Sequence, residues 1–139
     1  MGSFSSFDIS ASGIYAQRVR MDAIANNIAN AESTHTPQGG PYRRQRVVFA
    51  AVYENAVGNR SVPAGVRVES VVESPTDFLL VHDPDHPDAD ANGNVRMPNV
   101  NVVEEMVDMI SATRAYEANV AALNATKSMV SSAIDIGRA

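Results

Sequence analysis

Two stretches at opposite ends of this chain carry apolar residues at long-helix spacing, and that pairing constrains the fold more than any single residue. Near the N-terminus Phe7, Ile14, Met21 and Ile28 recur every seven positions, one apolar residue per two helical turns. Near the C-terminus a stripe alternates steps of four and three: Val102, Met106, Met109, Thr113, Tyr116, Val120, Leu123, Lys127, Val130 and Ile134. A lone helix cannot bury such a stripe, so each end demands a partner helix. The pattern predicts a mainly α fold with a small β part. The two terminal helices pair as a coiled coil, and the surplus of the longer one packs onto copies or relatives of the chain.

The boundaries follow from start and stop signals. Ser5 to Ser12, with Asp8, offer side-chain oxygens to a helix N-terminus. Gly13 inside that helix costs about 1 kcal/mol relative to alanine, so the first turns are expected to order on assembly. Thr36, Pro37, Gly39, Gly40 and Pro41 end it. Asn101 and Glu104, preceded by Pro98, form a capping-box pattern for the second helix, which runs without Gly or Pro to Gly137. At 1.5 Å per residue the two helices span roughly 30 and 50 Å, so part of the longer one lacks an intramolecular partner. Three parts result: a coiled-coil helix in 1–35, a β-rich or extended middle in 36–100, and a coiled-coil helix in 101–139.

In the middle part, residues 46–53 are rich in β-branched and aromatic types, 66–72 alternate like a half-buried strand, and Phe78–Val81 form a third candidate. These suggest short strands or hairpins. Irregular or extended connections are expected over 56–65 and 83–98.

Composition excludes several functions. Eleven Lys+Arg against 16 Asp+Glu give a net charge of −5, which argues against a nucleic-acid partner. The cluster Arg43, Arg44 and Arg46 reads as a solvated strand or loop face. No cysteine is present, hence no disulfide, thiolate nucleophile or cysteine-ligated metal. The N-terminus lacks the charged start and apolar run of a cleavable signal, and the longest apolar run is too short to span a bilayer, so no direct membrane insertion is expected.

Individual constellations offer little chemistry. Asp88-x-Asp90-x-Asn92-Gly93 matches the first half of a calcium loop, but position twelve is Asn99 rather than a bidentate glutamate. Asx-turns in a rigid connection are the favoured reading, with a calcium-dependent binding module as the alternative. No nucleophile elbow, phosphate-binding glycine loop or zinc-protease pattern is present, and His35, His82 and His86 fall in predicted loops, so no catalytic, cofactor or metal residues are assigned. Asn26, Asn27 and Asn30 each carry a helix-propensity cost of about 0.6 kcal/mol. They read either as a solvated face or as amides bonding across a subunit contact, with Ala25, Ala29 and Ala31 allowing close approach.

The run from Arg20 to Ala31, with Met21, Asp22, Ile24, Asn26, Asn27, Ile28 and Asn30, resembles the N-terminal signature of the bacterial flagellar rod and hook axial proteins. His86-Pro87-Asp88-Ala89-Asp90 through Gly93, Met97-Pro98-Asn99-Val100-Asn101 and Ser111 to Val120 resemble that family too, and point to its proximal-rod members. The resemblance implies a structural subunit that is not an enzyme and needs no cofactor. It implies a place in the basal-body rod across the periplasm and passage through the flagellar type III export apparatus without signal cleavage. It further implies helical polymerisation with copies of itself and other rod proteins, the terminal helices forming the inner layer. Another axial component is the nearest alternative. The expected assembly residues are Phe7, Ile14, Met21, Asn26, Asn27, Ile28 and Asn30 on the first helix. On the second they are Met106, Met109, Tyr116, Val120, Leu123, Val130 and Ile134.

Overall fold

A computed structural model describes residues 2–56 and 60–138. The architecture is mainly helical with a small antiparallel β part. In chain order it comprises α1 (Gly2–Ala29), β1 (Gln45–Ala56), β2 (Arg60–Glu73), β3 (Leu79–His82), β4 (Asn94–Met97) and α2 (Val102–Arg138).

The two helices lie side by side and run in opposite directions. Their contacts descend along α2 as they ascend along α1. Gly13 meets Asn119, Met21 Sδ accepts from Thr113 Oγ1 at 3.6 Å, and Asn27 Nδ2 donates to Glu105 Oε2 at 2.9 Å. Gly13 owes its place to this approach, because a Cβ there would sit 2.8 Å from Asn119 Oδ1. The propensity it sacrifices is returned as closer packing.

The helix α1 begins at Gly2, ahead of the Ser5–Ser12 window expected from the serines. Ser12 is therefore interior to the helix rather than a cap. Its hydroxyl donates to Ile9 O at 2.7 Å and accepts from Val66 N at 3.1 Å, tying α1 to β2. Gly65 makes this possible: its φ is +139°, and a Cβ would stand 2.6 Å from Ser12 Oγ. At the other end, α2 runs through Gly137 to Arg138 rather than stopping at the glycine. Its N-terminus is capped as expected, Asn101 Oδ1 accepting from Val103 N at 3.1 Å and Glu104 N at 3.4 Å.

β1 and β2 form one long antiparallel hairpin that packs along α1. The pairing shifts register between Val48 and Phe49 and again between Val52 and Tyr53. The second shift sets Tyr53 opposite Pro63, an irregularity that tolerates a residue without an N–H donor. The connection expected to be irregular or extended over 56–65 is extended, a paired strand from Arg60 onward; residues 57–59 lie outside the described residues.

β3 and β4 pair as a second, four-residue hairpin. β4 falls within the 83–98 stretch expected to be irregular or extended. Four residues are too few to show periodicity, and the strand exists because it finds β3 and turns Val95 fully inward. His82 closes β3 instead of lying in a loop.

Candidate assembly interface

The most ordered polar site of the described residues sits where α1 ends, β1 starts and α2 begins. Asn27, only 1% exposed, uses both halves of its amide. Its Nδ2 donates to Gln45 O and to Glu105 Oε2, each at 2.9 Å. Its Oδ1 accepts from Gln45 N at 2.8 Å and from Tyr42 Oη at 3.0 Å. Asn27 thereby serves as an extra backbone rung for β1 while gripping α2. An amide with every position used is inexpensive to bury, whereas one left open costs about 1–3 kcal/mol.

Glu105, also 1% exposed, is the second centre. Its other oxygen accepts from Arg44 Nε at 2.5 Å, and Arg44 reaches Asp108 at 3.5 Å while Arg20 meets Asp108 at 3.1 Å. Two arginines and two carboxylates therefore bridge α1, β1 and α2. Burial, then the nearby Glu105 and Glu73 charges, raises the Tyr42 phenol above its usual pKa and keeps it a donor to Asn27. On the far side, Asn99 Oδ1 accepts from Arg44 N at 2.8 Å while its Nδ2 donates to Thr76 O at 2.9 Å, fixing the approach to α2.

The reading of Arg43, Arg44 and Arg46 as a solvated face is corrected for two of the three. Arg44 is spent on Glu105 and Asp108. Arg43 lies 4.3 Å over the Phe78 ring and donates to Ser74 O and Thr76 O. Only Arg46 is exposed. The aspartate-rich loop is made of Asx-turns, as expected. Asp90 Oδ1 accepts from Asn92 N and Asn94 N at 2.8 and 2.9 Å, and these two bonds hold its carboxyl below the usual carboxylate range. Asp88 accepts from Thr34 Oγ1 at 2.6 Å.

The expected assembly residues fall into distinct settings. Asn27 is in the junction just described. Asn26 is exposed, and the half-buried Asn30 donates back to Asn26 O at 2.9 Å. Phe7, Ile14, Met21 and Ile28 are half-buried, Met21 in contact with Thr113 of α2. On α2, Met109, Tyr116, Val120, Leu123 and Val130 are half-buried, while Met106 and Ile134 are more than half exposed. Contacts between the helices pair Gly13 with Asn119, Arg20 with Asp108, Met21 with Thr113 and Asn27 with Glu105. Apart from Met21 these residues are polar or small, so a search for apolar spacing passes over most of them.

On the opposite side of α2, Val102, Val103, Met106, Val107 and Ile110 form an apolar face exposed to solvent, Val103 to 70%. Leu79 and Leu80 on β3 are exposed as well. At the far end of α2, Met129, Ile134 and Ile136 are open, Ile136 to 78%. An isolated subunit gains nothing by presenting these groups to water. No helix among the described residues is long and apolar enough to cross a membrane.

Comparison with known proteins agrees with this geometry. Residues 7–35 match the family model described as "Flagella basal body rod protein" and residues 91–136 that described as "Flagellar basal body rod FlgEFG protein C-terminal". The chain is 48% identical to the flagellar basal-body rod protein FlgC of Borreliella burgdorferi, covering 98% of each. It is 43% identical to FlgC of Bacillus subtilis, over 99% of this chain and 100% of that one. To FlgC of Salmonella typhimurium it is 46% identical, over 95% and 96%.

Proposed function

This chain belongs to the FlgC family of flagellar basal-body rod proteins, and on that premise we propose that it is a structural subunit of the proximal rod that polymerises helically with itself and with other rod proteins. The observation that carries the reading is the apolar outer face of α2 from Val102 to Ile110, aimed away from α1 and open to solvent. A helix polar on that side would serve a free monomer better. A structural rather than catalytic role is supported by the rod proteins the chain resembles along its length.

In this reading the three parts of the chain have separate tasks. The helix-bearing segments 1–35 and 101–139 form a coiled-coil layer together with those of neighbouring subunits. The middle segment 36–100 meets neighbours through the hairpins. Phe7, Ile14, Met21, Ile28, Met109, Tyr116, Val120, Leu123 and Val130 steady the pair within the subunit. Met106 and Ile134 face outward, and Asn26 and Asn30 offer amides to an adjacent subunit. The chain travels through the type III export apparatus without a cleaved signal and joins the rod across the periplasm. Transmission of torque then follows from a continuous helical stack.

In-frame deletion in the source bacterium, followed by electron microscopy of isolated basal bodies, tests this. The expected result is non-swimming cells with membrane rings but no completed rod or hook. Intact rods with normal swimming would overturn it. Leu123→Asp, which puts a charge in the half-buried seam, is expected to match the deletion; normal swimming by that strain would remove the seam from the account.

A further inference from the structure

We propose that Asn92 is a site of spontaneous deamidation, and that the Asp90 turn restrains the reaction for as long as the loop between β3 and β4 stays closed. Among the asparagines of the chain, only Asn92 precedes a glycine. In this reaction the Gly93 backbone nitrogen, having lost its proton to hydroxide, attacks Cγ of the Asn92 side chain. The bond from Gly93 N to Cγ forms, the Cγ–Nδ2 bond breaks, and Nδ2 takes a proton from water and leaves as ammonia. Water then opens the cyclic imide at either carbonyl, giving aspartate or its β-linked isomer. Glycine favours the ring closure because it has no side chain to hinder the folded-back backbone.

Both reacting groups are in place, one loose and one held. Asn92 is exposed, and its side-chain amide has no hydrogen-bond partner among the described residues, so it can turn toward the next peptide. Gly93 is required by the bend: its φ is +74°, and a Cβ would press on His82 Cε1 and Pro84 Cγ, each at 3.1 Å. Its nitrogen is the restrained partner. Gly93 N donates to Asp90 O at 2.9 Å, while Asn92 N and Asn94 N on either side donate to Asp90 Oδ1 at 2.8 and 2.9 Å. A bonded N–H gives up its proton less readily, and the carboxylate between its neighbours makes a second negative charge there more costly. Gly93 O accepts from Asp83 N and Asp90 N donates to Asn94 O, both at 2.9 Å, which clamps the peptide on two sides. Reaction therefore waits for local opening of the loop. Its product places a carboxylate close to Asp88 and Asp90 in sequence, and the β-linked form inserts a backbone carbon just ahead of Asn94, which pairs with His82.

The test incubates purified full-length protein in mildly alkaline buffer, folded and in urea, and follows each asparagine by peptide-mapping mass spectrometry. Asn92 is expected to convert ahead of every other asparagine in urea, and about tenfold more slowly in the folded chain, where only the open loop reacts. Asp90→Ala, with circular dichroism to verify its helices, is expected to bring the folded rate within about threefold of the urea rate. Asp90→Ser, which keeps a hydroxyl acceptor for the turn but no charge, should fall between parent and Asp90→Ala. Another asparagine converting first in urea, or none at position 92, would remove the site. Equal rates at Asn92 in the folded and unfolded chain would overturn the restraint, as would folded Asp90→Ala and Asp90→Ser proteins that react as slowly as the parent.

Discussion

The two ends of the helix pair are held by opposite means. At the junction end, Asn27, Glu105, Arg44, Gln45 and Tyr42 lock α1, α2 and β1 through directional bonds, one of them buried and the others part-buried. At the far end, α2 runs past its partner and presents Met129, Ile134 and Ile136 to solvent. The first end is complete within one subunit. The second leaves its apolar groups open. A chain made for assembly benefits from this division, because the satisfied end keeps its geometry before and after docking while the open end retains free energy to release on contact.

Four substitutions break or sharpen the contrast. The largest effect is expected at the closed end. Glu105→Leu takes from Arg44 its nearer carboxylate, leaving it Asp108, and removes an acceptor from Asn27; it is expected to cost about 3 kcal/mol, read by urea unfolding followed by circular dichroism. Glu105→Gln, which retains an acceptor for Asn27, should lose clearly less; equal losses would mean that packing rather than bonding holds the junction. Next comes Gly13→Leu, which forces the helices apart at Asn119 and is expected to cost about 1–3 kcal/mol. Adding Asn119→Ala should recover part of that loss, and no recovery would place the strain elsewhere.

Tyr42→Phe removes one of the two bonds to Asn27 Oδ1, an expected loss of about 1 kcal/mol. Because the folded phenol titrates above its ordinary 10.0, its contribution is full below pH 10 and disappears as pH rises through the raised value. Stability of the parent should therefore fall more steeply than that of the Phe variant in strong alkali. The smallest effect on the free subunit belongs to Ile136→Ser, expected to change its stability by less than about 0.5 kcal/mol while weakening assembly. A large loss in the isolated protein would show that the overhang already has a partner within the chain.

How much of this was legible beforehand differs by feature. Both helices, the Asn101 cap, the β1–β2 strands and the Asx-turns at Asp90 follow from spacing and residue type, because local chemistry decides them. The family resemblance rested on the same stretches, and near-full-length relatives uphold it. Which face of α2 turns inward was not legible. Apolar spacing selects Val102, Met106, Val120 and Ile134, while α1 is met by Glu105, Asp108, Thr113 and Asn119. Burial in an assembling chain is divided between the fold and the polymer, and the sequence records both at once. In sequence Glu105 is one of two acids in the first turn of α2; only the arrival of Asn27 and Arg44 from 78 and 61 residues away gives it a buried role. β4 was missed for the related reason that four residues become a strand through their partner.

The Asn27 amide has a mechanical meaning beyond stability. It couples one helix to the next and to a strand at a single level along the axis, as a key couples a shaft to its hub. Twisting either helix about its own axis stretches several of these bonds together, so a load at this level is shared among them rather than borne by one.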